Sequence, residues 1–215
     1  MSVVTMVLGE SGTGKSASLR NLTPAETLLI QAVKKPLPFR SSEWKRFDKD
    51  SCPDGNIFIT DIAEKIISLM QRTRRKVIVI DDFQYVMANE FMRRTDERGF
   101  DKFTEIGKNA WDILNAAAAL PEDVRVYLLS HVETTESGRT KIKTIGKMLD
   151  EKITLEGMVT IVLRTAIRDG KYLFATRNNG SDTTKTPMGL FENDLIDNDL
   201  ATVDDAIHNY YHTTA

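Results

Sequence analysis

Hydrophobic positions along the 215-residue chain follow two rhythms that alternate. Aliphatic and β-branched residues run together at Val3–Leu8, Thr27–Val33, Lys76–Ile80, Val124–Ser130 and Met158–Thr165, the pattern of strands buried on both faces. Between them the repeat is helical. "DIAEKIISLMQRTRR", from Asp61, sets Ile62, Ile66, Leu69 and Met70 on one face, and Asp61 followed by Glu64 predicts a capping box. "FDKFTEIGKNAWDILNAAAAL" aligns Phe103, Ile106, Ala110, Ile113, Leu114 and Ala117 and stops at Pro121, before the next apolar run. Strands alternating with helices predict an α/β fold with a mainly parallel sheet and helices on both faces. Later the rhythm changes. "MVTIVLRTAIRDGKYLFATR" is two strand-like runs around Asp169-Gly170, which predicts a C-terminal antiparallel hairpin appended to the parallel core. Residues 191–215 form an acidic tail, either a terminal helix packed on the sheet or a docking segment carrying Tyr210 and Tyr211. The chain reads as one domain over 1–215, without internal repeats, and its loosest stretches are Lys34–Asn56 and Glu133–Thr144.

Composition narrows this picture only at the margins. A net charge of -2 means that any nucleic-acid binding must come from a local cluster of Lys and Arg. Cys52 is the only cysteine, which excludes an internal disulfide framework and fits a reducing, cytoplasmic setting. No run approaches the roughly 20 apolar residues of a membrane span, so no membrane partner is expected.

The chemistry is concentrated behind the first strand. In "VLGESGTGKSASL", Gly9, Gly14, Lys15 and Ser16 satisfy G-x-x-x-x-G-K-[ST], with a strand before and a helix predicted after. Glycines let successive N–H groups turn inward on phosphate oxygens. Lys15 neutralises the β and γ charges, and the Ser16 hydroxyl is a ligand for Mg²⁺. The predicted nucleotide-binding set is Gly9, Glu10, Ser11, Gly12, Thr13, Gly14, Lys15, Ser16 and Ala17. No N-K-x-D motif reads guanine, so the expected nucleotide is ATP. "KVIVIDDFQYV" offers the second metal-side acid, Asp81, at the carboxyl end of a buried strand. Asp82, next to it, either polarises the attacking water or caps the helix starting near Phe83. "VRVYLLSHVE" brings Ser130 and His131 to the same edge, and His131 is either a γ-phosphate sensor or a hydrogen-bonded strand terminus. Beyond it, Arg139, Lys141, Lys143 and Lys147 lie in a Gly- and Thr-rich segment, either a DNA-binding loop or a solvated one. A second basic set, Arg93, Arg94, Arg98 and Lys102, reads more simply as surface charge.

These segments in order, with "QAVKKPLPFR", "GFDKF", "KIKTIGKMLDEK" and "FATRNNGSDTTKTPMGLF", resemble the phage-encoded RecA-like ATPases of recombination and replication gene clusters. The similarity runs from the P-loop to about Phe191. It implies a RecA-like P-loop core and an ATP-controlled protein that binds single-stranded DNA and assists annealing or strand exchange. It further implies a partner single-strand-binding protein, and a homo-oligomer with ATP at the subunit boundary, where Arg177 or Lys185 is the trans-acting cation. RecA carries a catalytic glutamate at the end of its second strand. The corresponding position here is Gln31, so either Asp82 takes over or ATP acts chiefly as a conformational clamp. An AAA+-like helicase loader would share the same motifs but want a C-terminal lid with an arginine, absent after Phe191. A small-molecule kinase would want an arginine-rich lid, for which "FMRRTDERG" is the one candidate. A scaffold that only holds nucleotide is the remaining reading.

Overall fold

The computed structural model describes residues 1–212, apart from the side chain of Asp150. Ten strands and four α-helices follow in the order β1 (Val3–Leu8), β2 (Thr27–Gln31), β3 (Ile57–Ile59), α1 (Ala63–Arg72), β4 (Val77–Asp81), α2 (Gln84–Arg93), α3 (Asp101–Ala118), β5 (Arg125–Ser130), β6 (Val132–Thr134), β7 (Thr140–Ile142), β8 (Ile161–Arg168), β9 (Lys171–Ala175), β10 (Leu195–Asp197) and α4 (Leu200–His212). Eight strands form one sheet in the order β10-β9-β8-β1-β5-β4-β2-β3. From β8 to β3 every pairing is parallel, and β9 and β10 add antiparallel strands at one edge. The fold is therefore α/β, a mostly parallel mixed sheet with an antiparallel hairpin. None of the described helices is long and apolar enough to cross a membrane.

The continuous apolar runs are explained by burial on both faces. Val4, Met6 and Leu8 of β1, Ile78 and Ile80 of β4, and Val126 and Leu128 of β5 meet Ile66 and Met70 of α1, Val86 of α2 and Ile106, Ala110 and Ile113 of α3. The intervening residues Val7, Val79, Tyr127 and Leu129 point the other way, onto Leu19, Trp44 and Leu200, Val203 and Ile207 of α4. α4 is also held electrostatically. Its Asp204 takes a two-pronged bond from Arg125 (Nε 2.7 Å, Nη2 2.8 Å) and a third from the Tyr127 hydroxyl at 2.6 Å, all buried on β5.

Several local expectations are corrected. The helix predicted after the glycine turn is a single short 3-10 segment, Ser16–Asn21. Thr23 precedes Pro24, which disfavours helical backbone at Thr23 and leaves room for little more. No capping box forms at α1. The cap is Ile62, without a side-chain bond, because Asp61 is drawn to Arg93 at 2.7 Å. β2 stops at Gln31 instead of Val33, and β3 and β10, three residues each, lack enough periodic positions to be seen in the sequence. The stretch 34–56 is pinned by Trp44, with Phe39 edge-on to it at 6.1 Å and Phe47 stacked on Phe58 at 4.5 Å. Residues 133–144 are the hairpin β6–β7 and not a loose loop. Asp169 and Gly170 both have positive φ, 50° and 74°, as a tight hairpin turn requires. The acidic tail is β10 and then α4 as far as His212, and its residues 213–215 lie outside the described residues.

Candidate nucleotide-binding site

β1 delivers the chain to Gly9 at the carboxyl edge of the sheet, and residues 9–15 turn over that edge into the short 3-10 segment. Two positions are closed to a side chain by their neighbours. Gly14 has φ 99°, and a methyl there would press on Tyr172 and Asn198, while one on Gly9 would overlap the Thr165 hydroxyl of β8. That hydroxyl shares a 2.6 Å hydrogen bond with Thr13, which pins the loop to the neighbouring strand. Arg20 and Asn21 continue the anchorage, donating to Asn198 O at 2.5 Å and to Asp199 at 2.7 Å.

Lys15 is buried, and its ammonium donates to Gly9 O at 2.8 Å and Glu10 O at 2.7 Å. Burial lowers its pKa to about 8, against the opposing pull of Asp82 and Asp81. Ser16 Oγ lies 3.0 Å from both carboxylate oxygens of Asp81 and donates to them. Asp81 ends β4 fully buried, and burial first, with the Asp82 charge second, pushes its carboxyl above the usual range. A hydroxyl and a carboxylate are hard oxygen donors that suit Mg²⁺, which keeps water and phosphate oxygens for most of its shell. Among the described residues no three His, Cys, Asp or Glu side chains group to hold a metal by protein ligands alone. An ion at Ser16 and Asp81 would thus depend on a bound phosphate.

Asp82 adopts φ 61°, a left-handed backbone that costs a non-glycine residue about 1 kcal/mol. The turn sends successive carboxylates to different places, Asp81 to Ser16 and Asp82 into the open cavity. Asp82 does not cap α2: the helix has Phe83 at its cap and no side-chain bond there. Its carboxylate meets Lys35 at 2.5 Å and lies 3.8 Å from His131 Nε2. Burial would raise the Asp82 pKa, but His131 and Lys35 outweigh it and hold the carboxyl below the usual range. Lys35, 3.9 Å from Asp81 as well, is held above its ordinary pKa because those acids outweigh its own burial. A cavity of about 470 Å³ runs from Ser11–Ala17 past Asp82 and His131 to Lys35, Pro36 and Pro38, with Tyr172 on its wall. Ser130 Oγ and Gln31 Oε1 are buried at the ends of β5 and β2 without a hydrogen-bond partner.

The predicted residues thus fall into two groups. Lys15, Ser16, Asp81, Asp82 and His131 converge on one edge, with Gly9–Ala17 forming the loop and its first turn. Arg177 and Lys185 do not join them. They line a separate cavity of about 430 Å³ on the far side of β8, where Arg177 pairs with Asp194 at 2.7 Å and the Lys185 backbone pairs with Val162. Of the predicted DNA contacts, Arg139, Lys143 and Lys147 are exposed on or beside β6–β7, whereas Lys141 is paired with Glu133 at 3.2 Å. Of the second basic set, Arg93, Arg94 and Lys102 are tied into the structure, and Arg98 is exposed. Arg94 pairs with Glu90, Glu97 and Glu105, and the Lys102 ammonium donates to the carbonyls of Arg94 and Glu97. Sequence reasoning missed Lys35, Thr165, Tyr172 and Asn198. Only Lys35 carried a signal, its place in "KKPLPFR" directly after a strand that ends at the same sheet edge as the glycine turn. No protein-family model matches the chain, and no curated protein is similar to it.

Proposed function

We propose that the chain is a RecA-like P-loop ATPase that binds Mg·ATP in the turn of residues 9–17 and hydrolyses it. The observation that carries this reading is the 3.0 Å approach of Ser16 Oγ to both oxygens of Asp81, from two distant segments, beside a buried lysine in a glycine turn. Mg²⁺ held at Ser16 and Asp81 supplies neutralising charge for the β- and γ-phosphates. The backbone N–H groups of the turn cradle phosphate oxygens, and Lys15 exchanges the carbonyls of Gly9 and Glu10 for phosphate. Asp82, ionised and facing the cavity, orients the attacking water, a task that positions more than it deprotonates. His131 borders the terminal phosphate, and its carbonyl accepts from Lys143 N at 2.9 Å, so its position bears on the β6–β7 hairpin.

The wider reading is that ATP controls binding of single-stranded DNA by a homo-oligomer that promotes annealing or strand exchange, beside a single-strand-binding protein. It is supported by the resemblance of the ordered segments and by the exposed Arg139, Lys143 and Lys147 next to the hairpin. Calorimetry with ATP and Mg²⁺ tests the site: binding is expected for the native chain and lost in Lys15→Ala. Hydrolysis and oligomer size, measured with and without single-stranded DNA, test the rest. A chain whose hydrolysis and size ignore DNA would overturn the annealing role, and retained hydrolysis in Asp82→Asn would overturn the role given to Asp82.

A further inference from the structure

Among the described residues, Lys35 is the one lysine or arginine lining the cavity that the P-loop motif does not account for. We propose that Lys35 is a γ-phosphate ligand supplied in cis, a catalytic lysine delivered by the segment after β2, in addition to Lys15. The inference rests on the reading of the cavity as a nucleotide site and goes beyond it by naming which phosphate the second lysine touches.

Geometry gives the argument. Going outward from the P-loop strand, the sheet presents β5, then β4, then β2 at its carboxyl edge. His131 follows β5, Asp82 follows β4, and Lys35 follows β2, all three on the walls of the cavity that begins at the glycine turn. A triphosphate whose β-phosphate lies in the turn therefore reaches Lys35 only with its far end. The position of Lys35 is also fixed from below. Ala32 N donates to Asp81 O at 3.1 Å, Gln31 Nε2 donates to Lys35 O at 3.3 Å, and Pro36 and Pro38 restrict the backbone beyond. Such a side chain is presented from a stiff mount, as positioning of a phosphoryl group requires.

Electrostatics gives the reason for a cation there. Asp82 is an almost fully buried carboxylate facing the space that a γ-phosphate would occupy. Two anions so placed repel strongly at low dielectric unless a cation lies between them. Lys35 already bonds Asp82 at 2.5 Å while its own side chain is more than one-third exposed to the cavity. It can keep the carboxylate and still turn free N–H donors to phosphate, since an ammonium has three. Lys15, whose ammonium is bonded to the carbonyls of Gly9 and Glu10, makes no hydrogen bond or ion pair to Asp82 among the described residues.

The test is calorimetric and needs no turnover. ATP and ADP affinities are measured with Mg²⁺ for the native chain, Lys35→Met, Lys35→Arg and Lys15→Ala. The proposal expects Lys35→Met to weaken ATP at least tenfold and ADP by less than twofold, with Lys35→Arg restoring most of the ATP affinity. Equal loss of both nucleotides, or loss of neither, overturns it, because a purely structural lysine does not discriminate between them. Should Lys35→Met fail to fold with Asp82 left unpaired, Lys35→Met/Asp82→Asn against Asp82→Asn gives the same comparison without the stranded charge. Failure of the nucleotide reading itself looks different: the native chain then binds neither ATP nor ADP.

Discussion

Replacing Asp204 by alanine removes the acceptor through which, among the described residues, α4 is hydrogen-bonded to β5. The carboxylate accepts two bonds from Arg125 and one from the fully buried Tyr127 hydroxyl. Alanine strands a guanidinium that keeps only the Asp123 carbonyl, at 2.9 Å from Nη1, and a phenol that keeps nothing. Breaking a buried ion pair from one side costs about 3–5 kcal/mol, a large part of the 5–15 kcal/mol of an ordinary domain. Removing every polar partner together is different. The triple substitution Arg125→Leu/Tyr127→Phe/Asp204→Leu leaves no stranded group, so it should cost less than Asp204→Ala alone. Urea unfolding followed by tryptophan fluorescence reads both, since Trp44 sits in the same cluster as α4. The loss has a functional side. The segment leading into α4 holds Arg20 and Asn21 just after the phosphate turn, so ATP affinity should fall several-fold in Asp204→Ala under native conditions. A single substitution costing under about 1 kcal/mol, or a triple costing more than the single, refutes the reasoning.

Other outcomes follow from the same geometry. Gly9→Ala should abolish ATP binding measured by calorimetry, because its methyl overlaps the Thr165 hydroxyl, and adding Thr165→Ala should restore part of it. If Gly9→Ala binds normally, the close approach of turn and β8 is not what holds the loop. Lys15 titrates near pH 8 when folded and near 10.5 when unfolded, so between those values the unfolded chain binds more protons and stability rises with pH. Relative to Lys15→Met, the nucleotide-free native chain in EDTA should gain up to about 3 kcal/mol from pH 7 to 10.5, read by urea melts. A difference independent of pH contradicts the burial of a charged lysine. Trp44→Ala should cost about 3–5 kcal/mol by emptying the space under the sheet, measured in urea melts followed by circular dichroism, since the substitution removes the fluorescent reporter.

What was legible in the sequence was whatever local pattern alone determines. The five apolar runs marked the five central strands because burial on both faces removes the polar alternation that makes other strands ambiguous. Lys15, Ser16 and Asp81 were picked out because their motif fixes both residue type and spacing, and the structure brings Ser16 onto Asp81. What escaped depends on pairing between distant segments. Asp61 and Glu64 had the right spacing for a cap, yet Arg93, 32 positions away, took the aspartate. Asp82 looked equally suited to capping α2, and a left-handed backbone turned it away from the helix toward Lys35. Thr165, Tyr172 and Asn198 wall the glycine turn only because β8 lies beside β1, a neighbourhood no local window contains.

That neighbourhood has a consequence for how the protein is made. The first turn of the chain is finished by residues made long after it: Thr165 against Gly9, Tyr172 and Asn198 against Gly14, Asp199 against Asn21. Until Thr165 and Tyr172 have emerged, the loop has a floor and no walls. A nascent chain is consequently unable to complete the turn until β8 and β9 have been made, and any ligand of the turn protects the chain only after that point.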